Sequence, residues 1–433
     1  MKKIRQGLIC LAVFAAVMTV LYLLLVLSAV IPNEAVADHM RETARHFFVA
    51  ERYAFSDSGR LRDVTDNYAD QIWMNISWHM GEGNPFVSVL RAEYNNGNEF
   101  GTAAGLVLSV TNGAPANAEY TRYWHGMAMF IRLLHTCMDI QGIRIFLLVC
   151  LILLAAVTMA ILLKKGHGDI CASLLVALTL VQWWNLRLSV EYIGCFLICF
   201  ALCPFFLLLE NRGDFPLMVL CVVSGAMTAF FDFLTTETVP LLLPLILVVA
   251  VRAKERRLGT GKETALALLR CILCWGAAYA GAFLVKWIAV SLVTGENHFS
   301  TALRSAGKRL GSAVPEELPE GLSRFTMGAA ANLSVLFGSA ERLEYRRIGE
   351  GLSWSALLLL YVVSRFPRRK SWRKGTLALL SLGAMVFARY FVLANHSYTH
   401  SFFTYRALAS TAMALRTAVH LNLPQVKKRK EPV

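Results

Sequence analysis

The run Leu8-Ile-Cys-Leu-Ala-Val-Phe-Ala-Ala-Val-Met-Thr-Val-Leu-Tyr-Leu-Leu-Leu-Val-Leu-Ser-Ala-Val-Ile31 contains no charged residue and follows the basic start Met1-Lys-Lys-Ile-Arg5. A helix that crosses a membrane needs ~20 consecutive apolar residues, and this run supplies them without a break. Ala35-Val-Ala37 resembles a signal-peptide cleavage site. The apolar run is nevertheless longer than the ~7–15 residues of a cleavable signal, so an uncleaved first span is expected.

Similar runs recur along the whole chain. Of its 433 residues 56% are hydrophobic and only 17% charged, with a mean hydropathy of +0.51. A soluble domain carries about 25% charged residues, and no single soluble core would hide so much apolar surface. The net charge of +14 is confined to clusters between apolar runs: Lys2, Lys3 and Arg5; Lys164 and Lys165; Arg252, Lys254, Arg256 and Arg257; Arg365, Arg368, Arg369, Lys370, Arg373 and Lys374; and Lys427 to Lys430. That distribution marks the cytoplasmic side of membrane spans rather than a nucleic-acid surface, so no nucleic-acid partner is expected.

Threading the runs through these clusters gives ten spans, near 8–31, 143–163, 169–187, 191–209, 215–232, 237–252, 264–286, 352–365, 376–394 and 403–422. The expected fold is an all-α, polytopic transmembrane helix bundle, one integral membrane domain over residues 1–433. It would sit in the cell membrane as a multi-pass protein with both termini cytoplasmic. Two extracytoplasmic segments, 32–142 and 294–350, would carry interfacial helices such as 124–138 and 327–337. No internal repeat is visible. The ten cysteines fall mostly inside apolar runs, where a free thiol behaves as a small apolar side chain.

Candidate chemistry gathers on the outward side. In Asp63-Val-Thr-Asp66-Asn-Tyr-Ala-Asp70 two carboxylates stand four apart, a spacing that places Asp66 and Asp70 on one face of a helix. Like charges that close raise one pKa, which suits a general base or a divalent-cation site. A solvated acidic helix start is the plainer alternative. Arg122-Tyr123-Trp124-His125-Gly126 joins a cation and aromatics ahead of an apolar stretch. Such a group holds a phosphate and a sugar ring, or merely anchors the chain at the membrane–water boundary.

The densest group ends the ninth span: Arg389-Tyr390, then Asn395-His396-Ser397-Tyr398-Thr-His400, then Phe402-Phe-Thr-Tyr405-Arg406. Ionisable residues at membrane depth are costly. Here they suit an anionic phosphate or pyrophosphate head group, with helix-end pairing or zinc at His396 and His400 as alternatives. No third zinc ligand is evident, so no metal is assigned. Glu191, Asp232, Glu237 and Lys286 fall at the same outer ends of spans. Glycine-rich phosphate loops, serine-nucleophile motifs and paired CxxC sites are absent from the sequence.

Asp66-Asn-Tyr-Ala-Asp70, Arg122-Tyr-Trp-His-Gly126, Phe231-Asp-Phe-Leu-Thr235 and Asn395-His-Ser-Tyr-Thr-His400 with Thr404-Tyr-Arg406 resemble a group of bacterial membrane proteins related to the GT-C class of integral membrane glycosyltransferases. The resemblance implies a base at Asp66 or Asp70 and a polyprenyl-phosphate sugar donor. Arg389, Arg406, His396 and Lys286 would hold the lipid phosphate, and a cell-envelope glycan, lipid or protein would accept the sugar. Where many GT-C enzymes carry a key acid soon after the first span, this chain has Glu34 and Asp38 without a paired-acid motif. The rival expectation is a transporter or flippase of a lipid-linked saccharide that uses the same cationic pocket without chemistry.

Overall fold

The computed structural model describes residues 2–56, 59–307, 323, 326–337, 345–366 and 372–423. It begins with α1 (Lys2–Ala29), α2 (Asn33–Val49), α3 (Asn67–His79), α4 (Pro85–Arg91), α5 (Thr102–Asn112) and α6 (Met127–Leu134). There follow α7 (Ile140–Lys164), α8 (Gly168–Leu180), α9 (Val190–Leu209), α10 (Phe215–Phe231), α11 (Val239–Lys254) and α12 (Gly261–Thr294). The last part holds α13 (His298–Gly307), α14 (Met327–Leu336), α15 (Tyr345–Ser364), α16 (Thr376–Val392), α17 (Ala394–Thr399), α18 (Ser401–Thr404) and α19 (Leu408–Asn422). The described strands are two short antiparallel ribbons. β1 (Tyr53–Ala54) pairs with β2 (Thr65–Asp66), and β3 (Glu93–Tyr94) with β4 (Ala118–Glu119).

Each of the ten apolar segments falls on a helix. α1, α7, α9 and α12 are long and apolar enough to cross a membrane by length and composition. Large apolar side chains of α1, α7 and α12, among them Leu11, Leu153 and Leu273, point away from the protein. Such faces belong against lipid, and the chain is a membrane-embedded helical protein.

α11 is apolar on every side, and each residue from Val239 to Val251 is buried, as a helix without a polar face requires. It runs through the middle beside α9, surrounded by α8, α10, α12, α16 and α19. Pro244 interrupts α11 and leaves the Pro240 carbonyl without its helical donor. The Ser224 hydroxyl of α10 donates to that oxygen at 2.9 Å. α10 and α12 approach so closely at Gly225 that a Cβ there would lie 2.3 Å from the Trp275 carbonyl oxygen.

Local structure departs from the expected spans in three places. The third stops at Leu180, because the chain turns through Gln182 at φ 53° into a 3-10 stretch, Trp183–Leu188. The tenth becomes regular only at Leu408, so Arg406 lies in the irregular turn before α19. α14, expected at the membrane interface, is instead buried over nearly its whole length, because it packs against α15, α16 and α17. Most of segment 294–350 beyond α13 and α14, and the cluster Arg368 to Lys370 with Lys427 to Lys430, lie outside the described residues.

The alternating helices give the bundle two ends. The capped end carries α2 to α6 and the turns 232–237 and 394–407. The basic end carries the turns around residues 165, 210 and 255. There Arg257 donates to both Glu210 carboxylate oxygens at 2.7 Å, joined by Lys165 at 3.1 Å. Arg252 pairs with Asp214 at 3.1 Å, His167 with Glu255 at 2.8 Å, and Lys254 with Asp169.

Candidate functional site

Four residues separate Asp66 from Asp70, and the fold gives them different surroundings. Asp66 pairs with Tyr53 in the β1–β2 ribbon and is also the N-cap of α3, its carboxylate accepting from the Ala69 amide at 2.9 Å. Asp70 lies inside the first turn of α3. It accepts from Arg144 at 2.7 and 2.9 Å, from the Ser189 hydroxyl at 2.8 Å and from the Val190 amide at 2.9 Å. Arg144 also donates to Asn67 at 2.9 Å. Asp70 therefore ties α3 to α7 and to the N-terminus of α9, with both carboxylate oxygens engaged.

Asp66 makes no ion pair among the described residues. Burial pushes its carboxyl up to about 7, the Asp70 charge adds to the rise, and the Ala69 and Tyr68 amides oppose it. Beside it, burial and the Asp66 carboxylate hold the Tyr53 hydroxyl protonated well above its ordinary range. A carboxyl that titrates near neutrality is suited to taking up a proton.

The wall facing Asp66 comes from distant parts of the chain. Tyr192, early in α9, donates to the Val64 carbonyl at 3.1 Å. The Arg406 guanidinium stacks 4.3 Å from the Tyr192 ring and 5.0 Å from that of Tyr405. Phe402 meets Tyr53 edge-on at 5.7 Å. Arg406 is fully buried and donates to the carbonyls of Phe402 and Arg62 at 3.1 and 3.3 Å. Its Nε has no partner, and it forms no ion pair among the described residues. Burying a guanidinium without a counter-ion is expensive, and here two carbonyls and two aromatic faces are what meet the charge.

The other predicted residues form two further groups. Arg389 donates to Glu237 at 2.9 Å, to Ser397 at 2.7 Å and to the Leu234 carbonyl at 2.6 Å, which joins the turn 232–237 to α16 and α17. His396 stands 3.4 Å from Arg389 and 4.6 Å, ring to ring, from His400, which stacks on Phe403. Asn395 opens α17 beside them. Asp232 accepts from the Thr235 amide at 3.0 Å and from the Thr235 hydroxyl. The Tyr405 hydroxyl donates to the Val181 carbonyl at 3.2 Å.

The 122–125 motif is packed inward rather than displayed. Tyr123, Trp124 and His125 are all buried. Trp124 donates to the Ala282 carbonyl at 2.8 Å and stacks on Phe230. His125 adopts φ 58°, its Nε2–H donating to Tyr120 at 2.8 Å, and sits among Trp73, Tyr120 and Phe233. Burial, with Lys286 nearby, holds this imidazole well below its usual range and therefore neutral. Arg122 lies 4.7 Å over the Tyr120 ring. Lys286 donates to the carbonyls of Leu90 and Val89 at 2.5 and 3.3 Å, so its charge caps the last turn of α4.

Tyr53, Tyr192 and Arg144 belong to the site although sequence reading did not select them. Arg144 had a usable signal, as a lone cation near the start of a long apolar helix. Compared with protein-family models, curated proteins and solved structures, the chain matches none.

Proposed function

We propose that the protein is a membrane glycosyltransferase of GT-C-like design, working at the outer face of the cell membrane. In this reading ten helices, α1, α7–α12, α15, α16 and α19, cross the bilayer, both termini are cytoplasmic, and the capped end is extracytoplasmic. The donor is a sugar on a polyprenyl phosphate, and the acceptor is a hydroxyl of an envelope glycan, lipid or protein. The observation that carries the proposal is the buried, ion-pair-free Arg406 stacked on Tyr192, whose other neighbour is the segment of the titratable Asp66.

The acceptor hydroxyl attacks the anomeric carbon as Asp66 takes its proton. The bond from that carbon to the phosphate oxygen breaks, and its electron pair leaves with the lipid phosphate. Arg406, oriented by the Tyr192 and Tyr405 rings, stabilises the departing charge. Asp70 and Arg144 act as positioning residues that hold α3 and the Asp66 cap in place. A recess of about 410 Å³ lined by Leu333, Leu336, Leu359, Phe387, Leu408 and Leu415 suits an isoprenoid tail, and its Leu408 follows Arg406 by two residues in the chain.

The test is sugar transfer by purified protein in detergent, from a panel of radiolabelled polyprenyl-phosphate sugars to envelope extract. Asp66→Asn is expected to lower transfer by at least ~100-fold while the protein still folds. Saturable binding of the lipid phosphate without turnover, lost in Arg406→Met, would replace this reading with that of a transporter or flippase. Transfer that persists in Asp66→Asn would show that the base lies elsewhere.

A further inference from the structure

Away from Asp66, the turn between α10 and α11 buries two carboxylates against one cation. Asp232 is 4% and Glu237 5% exposed. One Glu237 oxygen takes the Arg389 hydrogen bond, while its other oxygen, Oε2, is buried without a partner. The Thr236 hydroxyl, 1% exposed, also has no partner, and neither does the buried hydroxyl of Tyr279 on α12. The Cys195 thiol of α9 faces both the Asp232 carboxylate and the Thr236 hydroxyl. Tyr279 lies within electrostatic reach of Asp232, Glu237 and Cys195.

Orphaned polar atoms are rare in native interiors, and several in and beside one turn call for an explanation. The charges supply it. Arg389 balances one carboxylate, and Asp232 has no ion pair among the described residues, so the cluster is short by one positive charge. A second cationic side chain is not what the neighbours provide. They offer carboxylate, hydroxyl and phenol oxygens, the donors that hard cations prefer.

We propose that Asp232, Glu237 Oε2, Thr236 Oγ1 and the Tyr279 hydroxyl bind one small monovalent cation of the sodium class. The ion neutralises the turn and fixes its conformation. That turn also presents Phe233, which stacks on Trp73 of α3 at 4.2 Å. The bound ion thereby steadies the helix whose N-cap is Asp66. The binding site does not depend on the transferase reading.

The experiment measures Tm of the full chain in detergent in sodium, lithium, potassium and choline chloride at equal ionic strength, together with direct ²²Na⁺ binding. Sodium is expected to raise Tm saturably over choline, because a ligand that binds only the folded state stabilises it by mass action. Thr236→Val removes a hydroxyl whose contact within the protein is the weak one with the Cys195 thiol. It should melt like the wild type in choline and need about tenfold more sodium for half its effect, the weight of one interaction with a charge. Asp232→Asn should abolish both the Tm response and ²²Na⁺ binding. A wild type with the same Tm in all four salts overturns the proposal. So does a Tm that follows pH but not sodium, which would mean the pair holds a proton, or a Thr236→Val variant with an unchanged sodium response.

Discussion

The two ends of the bundle treat buried charge in opposite ways. At the basic end Glu210 is surrounded by Arg257, Lys165 and Arg252, and Asp169 and Glu255 each have a cationic partner. Burial would raise the Glu210 carboxyl, yet the hydrogen bonds from Arg257 and Lys165 hold it below its ordinary value. At the capped end Asp70 and Glu237 are paired, but Asp66 and Arg406 are buried without a partner of opposite sign among the described residues. Paired charges hold helices together. Unpaired ones leave an interaction unused, and under the proposed function that interaction is kept for the substrate.

The sharpest way to break this comparison is Arg144→Leu, which strands the Asp70 carboxylate. Removing one partner of a buried ion pair costs ~3–5 kcal/mol, and the variant should show that loss in unfolding experiments in detergent. Wild-type stability would mean that the Asp70 network is not scaffold. Arg406→Met should behave in the reverse manner. Its stability should change by less than ~1 kcal/mol, while affinity for polyprenyl phosphate falls at least ~tenfold, as expected when a charge-assisted hydrogen bond is removed. If Arg406→Met instead unfolds the protein and binding by the surviving fraction is normal, Arg406 belongs to the scaffold.

The pH response separates the two ends again. The Asp66 carboxyl rises from 3.8 to about 7 on folding, so the folded state holds its proton more tightly than the unfolded state. Its contribution to stability is therefore greatest below ~4 and declines as pH climbs to ~7. Transfer, which needs the ionised form, should increase across the upper part of that window. Asp66→Asn should flatten the stability slope, and an unchanged slope would mean that another group titrates there. Glu210, with its pKa lowered on folding, has the opposite sign: its contribution is present above ~4.5 and is lost on acidification. The smallest effect should come from Glu210→Gln. Its cationic partners keep partial contact with water, so about 1 kcal/mol of stability is at stake.

Much of the fold could be read from hydropathy, because a run such as 8–31 has one physical solution in a bilayer. The limits of the ninth and tenth spans were harder. The chain breaks into α17, α18 and a 3-10 turn, where Asn332, Ser397 and Thr404 satisfy one another: Asn332 donates to the Ser397 carbonyl at 2.8 Å and accepts from Thr404 at 2.6 Å. Such partners lie far apart in the chain and leave no periodic trace. The site was legible as a list of residues but not as groups. Asp66 and Asp70 look alike at a spacing of four, and only the arrival of Arg144 and Ser189 separates them. Likewise, Arg122 to His125 reads as an exposed aromatic platform until Phe230, Phe233 and Trp73 close over it.

α12 contains 34 residues and spans about 51 Å at ~1.5 Å per residue, whereas a bilayer's hydrocarbon is only ~30 Å thick. Its upper part is fastened to the first polar segment at several heights. Ala282 accepts from Trp124, Lys286 holds α4, and Trp287 donates to the Arg122 carbonyl at 3.2 Å. The helix thus works as a gauge rod, setting the height of α4 and of the 122–124 segment along the bundle. Inserting one residue below Ala282 would turn every fastening by ~100° and raise it by ~1.5 Å. Such a change would shift the first polar segment against the bundle without altering any residue within that segment.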